Sequence, residues 1–200
     1  MLPLLVGGAP TAGKSAVASA LGRNLGLTVG SLDDLRDEFR DAAHVRRHRY
    51  PWIFSSVGMS AEEFWKARTP ADVMRVEIEQ GREFWPTIKQ FIESGRYGIV
   101  EGVSIIPELV WRDFGDTIKA VFLIDPDRER VHKTVFERGV WDEANAYADW
   151  IKPLEVEWIM LHNEWFRQQA KLYPYPLLEV GEDRDALVRQ VENIVEHERV

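Results

Sequence analysis

The chain contains no cysteine among its 200 residues, so it forms neither a disulfide nor a zinc site with thiolate ligands. No stretch approaches the roughly 18 consecutive apolar residues of a membrane-spanning helix. The apolar stretch Leu2–Val6 is short and has no basic residues before it, so we expect no signal peptide. Basic residues are outnumbered, and the net charge of −8 argues against a duplex nucleic-acid binder, which needs a broad basic surface. We therefore expect a cytoplasmic protein without nucleic-acid or membrane partners.

The composition is that of a globular protein, with 45% hydrophobic and 29% charged residues. Two hundred residues suffice to bury a substantial core, and neither internal repeats nor low-complexity linkers divide the chain. We predict one domain over residues 1–200. The five histidines do not have the spacing of metal ligands, so no structural metal is predicted.

Residues Gly8–Ser15 read Gly-Ala-Pro-Thr-Ala-Gly-Lys-Ser and match the phosphate-binding loop pattern G-x-x-x-x-G-K-[ST]. The motif follows an apolar run and precedes a helical pattern, a context in which free N–H groups and the helix dipole attract polyphosphate. Lys14 would reach the β- and γ-phosphates, and the Ser15 hydroxyl would ligate Mg²⁺. A glycine-rich turn beside an ordinary lysine is the alternative interpretation. The residues predicted to bind the nucleotide, ATP, are Gly8, Ala9, Pro10, Thr11, Ala12, Gly13, Lys14, Ser15 and Ala16.

Strand-like and helix-like segments alternate along the chain. The predicted strands are Leu2–Val6, Leu27–Val29, Tyr97–Glu101, Ile118–Ile124 and Tyr175–Val180. The predicted helices are Ser15–Leu25, Asp34–Ala43, Thr69–Glu93, Asp127–Arg138, Pro153–Leu172 and Arg184–Glu198. Ser60 and Thr69 each begin a capping-box pattern, which marks a helix start. This order predicts a three-layer α/β/α fold with a five-stranded, mainly parallel sheet, in which ligands bind beyond the carboxyl ends of the strands.

Three stretches resemble the P-loop kinases of small molecules, the nucleoside-monophosphate-kinase-like group, and within it the 2-phosphoglycerate and zeta-toxin-type kinases. They are Leu5–Ser15, Ser31–Arg36 and Ile99–Val103. The resemblance implies a kinase that uses ATP and Mg²⁺ to phosphorylate a small-molecule acceptor. It also implies a helical acceptor-binding insertion at residues 44–95 and a lid region at residues 126–152.

Asp33 and Arg36 match the Asp-x-[apolar]-Arg pattern of these kinases. The resemblance implies that Asp33 orients the acceptor hydroxyl, with a catalytic role, and that Arg36 holds an anionic group on the acceptor. A carboxylate beside the γ-phosphate suits this task, since the hydroxyl must lose its proton. The alternative is structural, because Ser31, Asp33 or Asp34 would also suit a helix cap.

Glu101 ends an apolar strand and precedes Gly102. A carboxylate there would hold Mg²⁺ or its waters, or bind the acceptor, or simply meet solvent. Asp125 also follows a strand, but the Asp-Pro dipeptide favours a turn.

Arg130 and Arg138 lie in a cation-rich helical segment. In kinases of this type, lid arginines neutralise charge on the transferring phosphoryl group, and we expect at least one arginine here to do so, with Arg138 and Arg130 the leading catalytic candidates. The segment Gly139–Asp149 would then form the mobile lid. A solvated helix face is the alternative interpretation.

Two compositional features leave alternatives open. The basic segment His44–Tyr50 would suit either an anionic acceptor or a solvated helix end. Among the eight tryptophans, Trp150, Trp158 and Trp165 recur at helical spacing, which indicates packing more than ligand stacking.

The function that these observations favour is phosphorylation of a small, anionic metabolite on a hydroxyl group. The alternatives are a kinase of a nucleoside, antibiotic or nucleotide sugar, and a nucleotide-dependent switch or NTPase. A switch is disfavoured because the G-protein elements Asp-x-x-Gly and Asn-Lys-x-Asp are absent from the sequence.

Overall fold

A five-stranded parallel sheet forms the centre of the molecule. The structure is a computed structural model that describes residues 2–197. The strands are β1 (Leu4–Gly8), β2 (Val29–Ser31), β3 (Ile99–Glu101), β4 (Ala120–Ile124) and β5 (Leu177–Glu179). Their order is β2-β3-β1-β4-β5, and every neighbouring pair is parallel. Central strand β1 is buried throughout, as are β3 and β4, which explains their apolar sequences.

Helices cover both faces of this sheet. They are α1 (Lys14–Leu25), α2 (Leu32–Ala43), α3 (Ala61–Lys66), α4 (Pro70–Glu93), α5 (Pro107–Phe114), α6 (Arg128–Arg138), α7 (Lys152–Gln169) and α8 (Arg184–His197). A 3₁₀ helix spans His44–Arg49. With this strand order, right-handed crossovers put α1 on one face and α4, α5 and α7 on the other. Helix α8 follows the last strand and packs against α1. The predicted three-layer α/β/α fold is confirmed. No helix within residues 2–197 is long and apolar enough to cross a membrane.

The helix starts are predicted well apart from α5, which was not predicted, whereas the strand starts are predicted less well. Ser60 and Thr69 both form complete capping boxes, at the starts of α3 and α4. Strand β1 continues to Gly8, so the first glycine of the phosphate loop is still part of the sheet. The prediction of β2 at Leu27–Val29 was wrong, because Leu27 turns back onto α1 through a hydrogen bond from its N–H to the Gly22 carbonyl. Strands β3, β4 and β5 each begin two residues later than predicted, where the ladder pairing starts.

Two hydrophobic clusters are present. The main cluster lies around the sheet and includes buried side chains of α1, α4, α5 and α8. The second, which we call the upper cluster, contains residues of α3, α4, α6 and α7 and of the segment between α6 and α7. Its buried members are Ala61, Phe64, Trp65, Val73, Val131, Val135, Tyr147, Ile151, Val156, Trp158 and Ile159. Parts of the predicted acceptor-binding insertion and of the predicted lid region therefore share one core.

Candidate active site

The phosphate loop joins β1 to α1 in a conformation that depends on two glycines. Gly8 has φ 130°, and a Cβ there would overlap the backbone of Leu123 on β4. Gly13 is the N-cap of α1 in the left-handed region, with φ 78°, and provides no capping side chain. The first N–H groups of α1 therefore remain available to an anion. Gly8 and Ala9 are buried and lie outside the lining of the adjoining cavity, which starts at Pro10.

Lys14 is buried at the start of α1, and its Nζ donates a hydrogen bond of 2.7 Å to the Ala9 carbonyl across the loop. Burial lowers the pKa of Lys14 below its usual range, and the charge of Arg138 acts in the same direction. The carboxylates of Glu101, Asp33 and Glu77 oppose that shift. A desolvated ammonium group beside a phosphate-binding loop is suited to stabilise phosphate charge.

Glu101 is the last residue of β3 and lies in register with Val6 on β1 and Ser31 on β2. Its side chain is almost fully buried. Burial raises the pKa of Glu101, and the negative charge of Asp33 contributes, whereas Lys14 and the hydroxyls of Ser15 and Ser31 lower it. Glu101 thus lies within reach of the Ser15 hydroxyl, and these two residues are the pair predicted to hold Mg²⁺.

Helix α2 carries the predicted acceptor-binding pair. Ser31 caps this helix by accepting from the N–H groups of Asp33 and Asp34 at 3.2 and 3.4 Å. Of the three candidate caps, Ser31 is the one whose side chain accepts the amides of this helix end, so the carboxylate of Asp33 is not needed as a cap. Arg36 Nη1 lies 3.1 Å from Asp33 Oδ1, and Arg40 follows on the same face of the helix.

The two lid arginines have different environments. Arg130 makes a bidentate contact with Asp125, at 2.8 Å from Nε and 2.7 Å from Nη2, and Nη2 also donates to the Val180 carbonyl at 2.7 Å. Asn163 fixes the backbone of Asp125 with two further hydrogen bonds. Arg138, in contrast, makes no ion pair with any residue between positions 2 and 197, yet its charge acts on Lys14. The guanidinium that is available to a ligand is that of Arg138.

One cavity of about 940 Å³ brings these groups together. Its lining includes the loop from Pro10 to Val17 and the side chains of Asp33, Arg36, Glu101 and Arg138. The basic segment His44–Arg49 is exposed and does not contribute to this lining.

Several lining residues were missed by the sequence analysis. They include Arg40, Glu77 and, around the β5–α8 connection, Val180, Gly181, Glu182 and Arg184. Glu77 lies on α4, where its Oε2 is 2.8 Å from Nε2 of the buried His162 on α7. No local signal marks Glu77, because its place in the cavity depends on how α4 packs against α7.

The tryptophan predictions were partly correct. Trp158 is buried in the upper cluster, as the helical spacing indicated, and it also lines the cavity. Trp150 precedes α7 and is 45% exposed, so the prediction that it packs in a helix was wrong.

The residues present fit a nucleoside triphosphate with Mg²⁺. The cavity offers free helix N-terminal amides, a buried lysine and the oxygen ligands of Ser15 and Glu101, which are the donors that Mg²⁺ prefers. The Thr11 hydroxyl, in the loop, is buried and has no partner within the described part of the chain.

Comparison with solved structures supports the same fold. Shikimate kinase from Acinetobacter baumannii in complex with shikimate matches with a TM-score of 0.55 at 16% identity, covering 100% of this chain and 96% of that one. Shikimate kinase from Bacteroides thetaiotaomicron matches with a TM-score of 0.53 at 16% identity, covering 98% of both chains. TT1252 from Thermus thermophilus gives 0.53 at 18% identity with full coverage of both. A scan against protein-family models and a search of curated proteins give no match.

These similarities define a fold class. The chain shares its fold with these shikimate kinases. The finer resemblance to 2-phosphoglycerate and zeta-toxin-type kinases stays a prediction.

Proposed function

We propose that the protein is an ATP- and Mg²⁺-dependent phosphotransferase that phosphorylates a hydroxyl group of a small anionic molecule. The observation that carries this proposal is that one cavity is lined both by the phosphate loop and by the Asp33–Arg36 pair. A nucleotide-binding site alone would need only the loop. A carboxylate and a guanidinium beside it supply what an anionic alcohol needs.

Each group has a role that its geometry supports. The loop amides and Lys14 hold the β- and γ-phosphates, and Asp33 accepts the proton of the acceptor hydroxyl as that oxygen attacks. Arg36 binds the anionic group of the acceptor, because a guanidinium pairs with carboxylate or phosphate through two parallel hydrogen bonds. Arg138 stabilises charge on the transferring group.

Ser15 and Glu101 would hold Mg²⁺, which neutralises charge on the β- and γ-phosphates when it is bound. Glu101 is buried with a raised pKa, and a nearby cation would favour its ionised form. In the same scheme, residues 44–95 form the acceptor-binding insertion and residues 126–152 the lid region. Arg130 acts as a positioning residue, because Asp125 and Val180 take up its guanidinium.

A screen of hydroxyl-bearing carboxylates and phosphates, read as ADP release and confirmed by ³¹P NMR of the product, tests this function. At least one anionic acceptor should raise ADP release above the rate without acceptor. Lys14→Ala should lower that rate on the order of 10²–10⁴-fold while the fold is retained, since it removes a charge contact to the transferring group. ADP release that is identical with and without every acceptor would instead identify an NTPase.

A further inference from the structure

Part of the cavity wall is aromatic. Trp65 of α3, Trp158 of α7 and Trp141 of the segment between α6 and α7 all line it, together with Phe64. The Trp65 and Trp158 rings meet edge to face at 6.3 Å, and Trp141 packs against Phe64 at 4.7 Å. Trp141 is nevertheless 36% exposed. An apolar ring that is left partly uncovered at a cavity gains free energy when a ligand covers it.

The same cavity contains a cationic pair. Arg36 and Arg40 both line it and lie one turn apart on α2. Burial lowers the pKa of Arg40 below its ordinary value, and the positive charge of Arg36 adds to that shift. The Asp37 carboxylate lies 3.7 Å from Arg36 Nε and 3.5 Å from Arg40 Nη1, but Asp37 is exposed and outside the cavity lining. On the cavity side, the two guanidinium groups therefore still favour an anion.

We propose that the phosphate acceptor is an aromatic hydroxy acid, that is, an anionic alcohol that carries a flat aromatic ring. This inference rests on the proposed function and specifies its substrate class. The anionic group binds Arg36 and Arg40, the hydroxyl faces Asp33, and the ring covers Trp141 and the neighbouring aromatic wall. A small aliphatic acid would satisfy the guanidinium groups and leave that wall in water.

Matched ligands that differ in one group test the proposal. 3-Phenyllactate carries all three features, lactate lacks the ring, and 3-phenylpropane-1,2-diol lacks the charge. Their dissociation constants are measured by isothermal titration calorimetry, with Mg²⁺ and an ATP analogue whose β–γ bridge cannot be cleaved. We expect 3-phenyllactate to bind at least about tenfold more tightly than either partner, which corresponds to about 1.4 kcal/mol.

Two tryptophan variants locate the ring. Trp141→Ala should weaken 3-phenyllactate binding by about tenfold and leave lactate unchanged. Trp111→Ala removes a tryptophan of similar exposure on α5, outside the cavity, and should change neither.

The outcomes separate this proposal from the kinase proposal. If 3-phenyllactate and lactate bind equally, or if neither binds while the nucleotide analogue does, the aromatic acceptor is excluded even if the screen finds a phosphorylated aliphatic acid. Shikimate is anionic but not aromatic, so the aromatic acceptor is also excluded if shikimate binds as tightly as 3-phenyllactate. If 3-phenyllactate binds through Trp141 but no hydroxy acid accepts a phosphoryl group, the kinase function is wrong and the aromatic anion site remains.

Discussion

The guanidinium of Arg36 lies 3.1 Å from the carboxylate of Asp33, one turn earlier on α2. The Asp33 side chain is 58% exposed and that of Arg36 is 25% exposed, so the pair contributes little to stability. Because the pair lines the cavity, we assign it a role in binding and catalysis instead. The pair keeps an acid and a cation at a fixed spacing where an acceptor would bind.

Arg36→Ala should raise the KM for an anionic acceptor by tens- to hundreds-fold and leave the KM for ATP nearly unchanged. A lost bidentate contact in a partly desolvated cleft costs roughly 2–4 kcal/mol. Arg36→Lys should recover little of the loss, because an ammonium group cannot reproduce the planar fork. Arg46→Ala, in the exposed 3₁₀ helix, is the control and should leave both constants unchanged. An unchanged acceptor KM in Arg36→Ala would point to a neutral acceptor.

Asp33→Asn should lower kcat far more than it lowers ATP affinity, and it should leave the melting temperature unchanged. The carboxylate acts on the acceptor hydroxyl, while Ser31 supplies the cap of α2. Ser31→Ala is the matched contrast, because loss of a cap costs about 1 kcal/mol. That cost should appear as a lower melting temperature. A stability loss in Asp33→Asn with normal turnover would assign Asp33 a structural role after all.

Substitution of the two lid arginines should affect different properties, turnover for Arg138 and stability for Arg130. Arg138→Ala should reduce kcat about 10²-fold with little change in melting temperature, since its guanidinium has no ion pair to lose within the described residues. Arg130→Ala leaves the buried Asp125 without its partner, which costs about 1–3 kcal/mol. Thermal unfolding and steady-state rates on both variants distinguish the two. The reverse pattern would make Arg130 the catalytic arginine.

Glu155 gives the stability of the upper cluster a dependence on pH. It is 1% exposed on α7 and accepts hydrogen bonds from the Tyr147 hydroxyl at 2.6 Å and from the backbone N–H of Trp141 at 3.3 Å. Burial raises the pKa of Glu155 above its ordinary value of 4.5, because desolvation penalises the charged form. Burial and the Glu155 carboxylate likewise raise the pKa of Tyr147 to about 12.

A group whose pKa is raised on folding stabilises the fold fully below its unfolded pKa, and that contribution is lost as the pH rises through the folded pKa. The melting temperature of the wild type should therefore fall relative to that of Glu155→Gln as the pH rises from 4.5. Thermal scans of both proteins at pH 4.5, 6 and 7.5 measure the difference. A constant difference would show that Glu155 keeps its ordinary pKa in the fold.

The phosphate loop and its flanking elements were predictable because their signals are local. These signals are a glycine at a position that no larger residue fits, a lysine and a serine at fixed offsets from it, and two capping boxes. Each of them lies within a short stretch of sequence. The alternation of strands and helices then fixed the layer architecture through the right-handed crossover rule.

The remainder of the candidate site depends on contacts that are distant in the sequence. Glu77 meets His162 only because α4 packs on α7, and Arg130 is engaged by Asp125 and by the end of β5. Sequence patterns identify Arg130 and Arg138 as equivalent candidates, and only packing distinguishes them. The aromatic wall was not predicted for the same reason, because helical spacing indicates that Trp158 is buried but not that it borders a cavity.

The upper cluster, which joins α3 to the segment that precedes α7, has a thermodynamic consequence. Trp65 and Tyr147 belong to one packed cluster, so closing the segment over the phosphates would also disturb the wall that would meet the acceptor. A ligand that draws this cluster towards the phosphate loop reduces the cost of ordering it for the second ligand. Nucleotide and acceptor are therefore expected to bind with positive cooperativity, and the factor by which each strengthens the other must be the same in both directions.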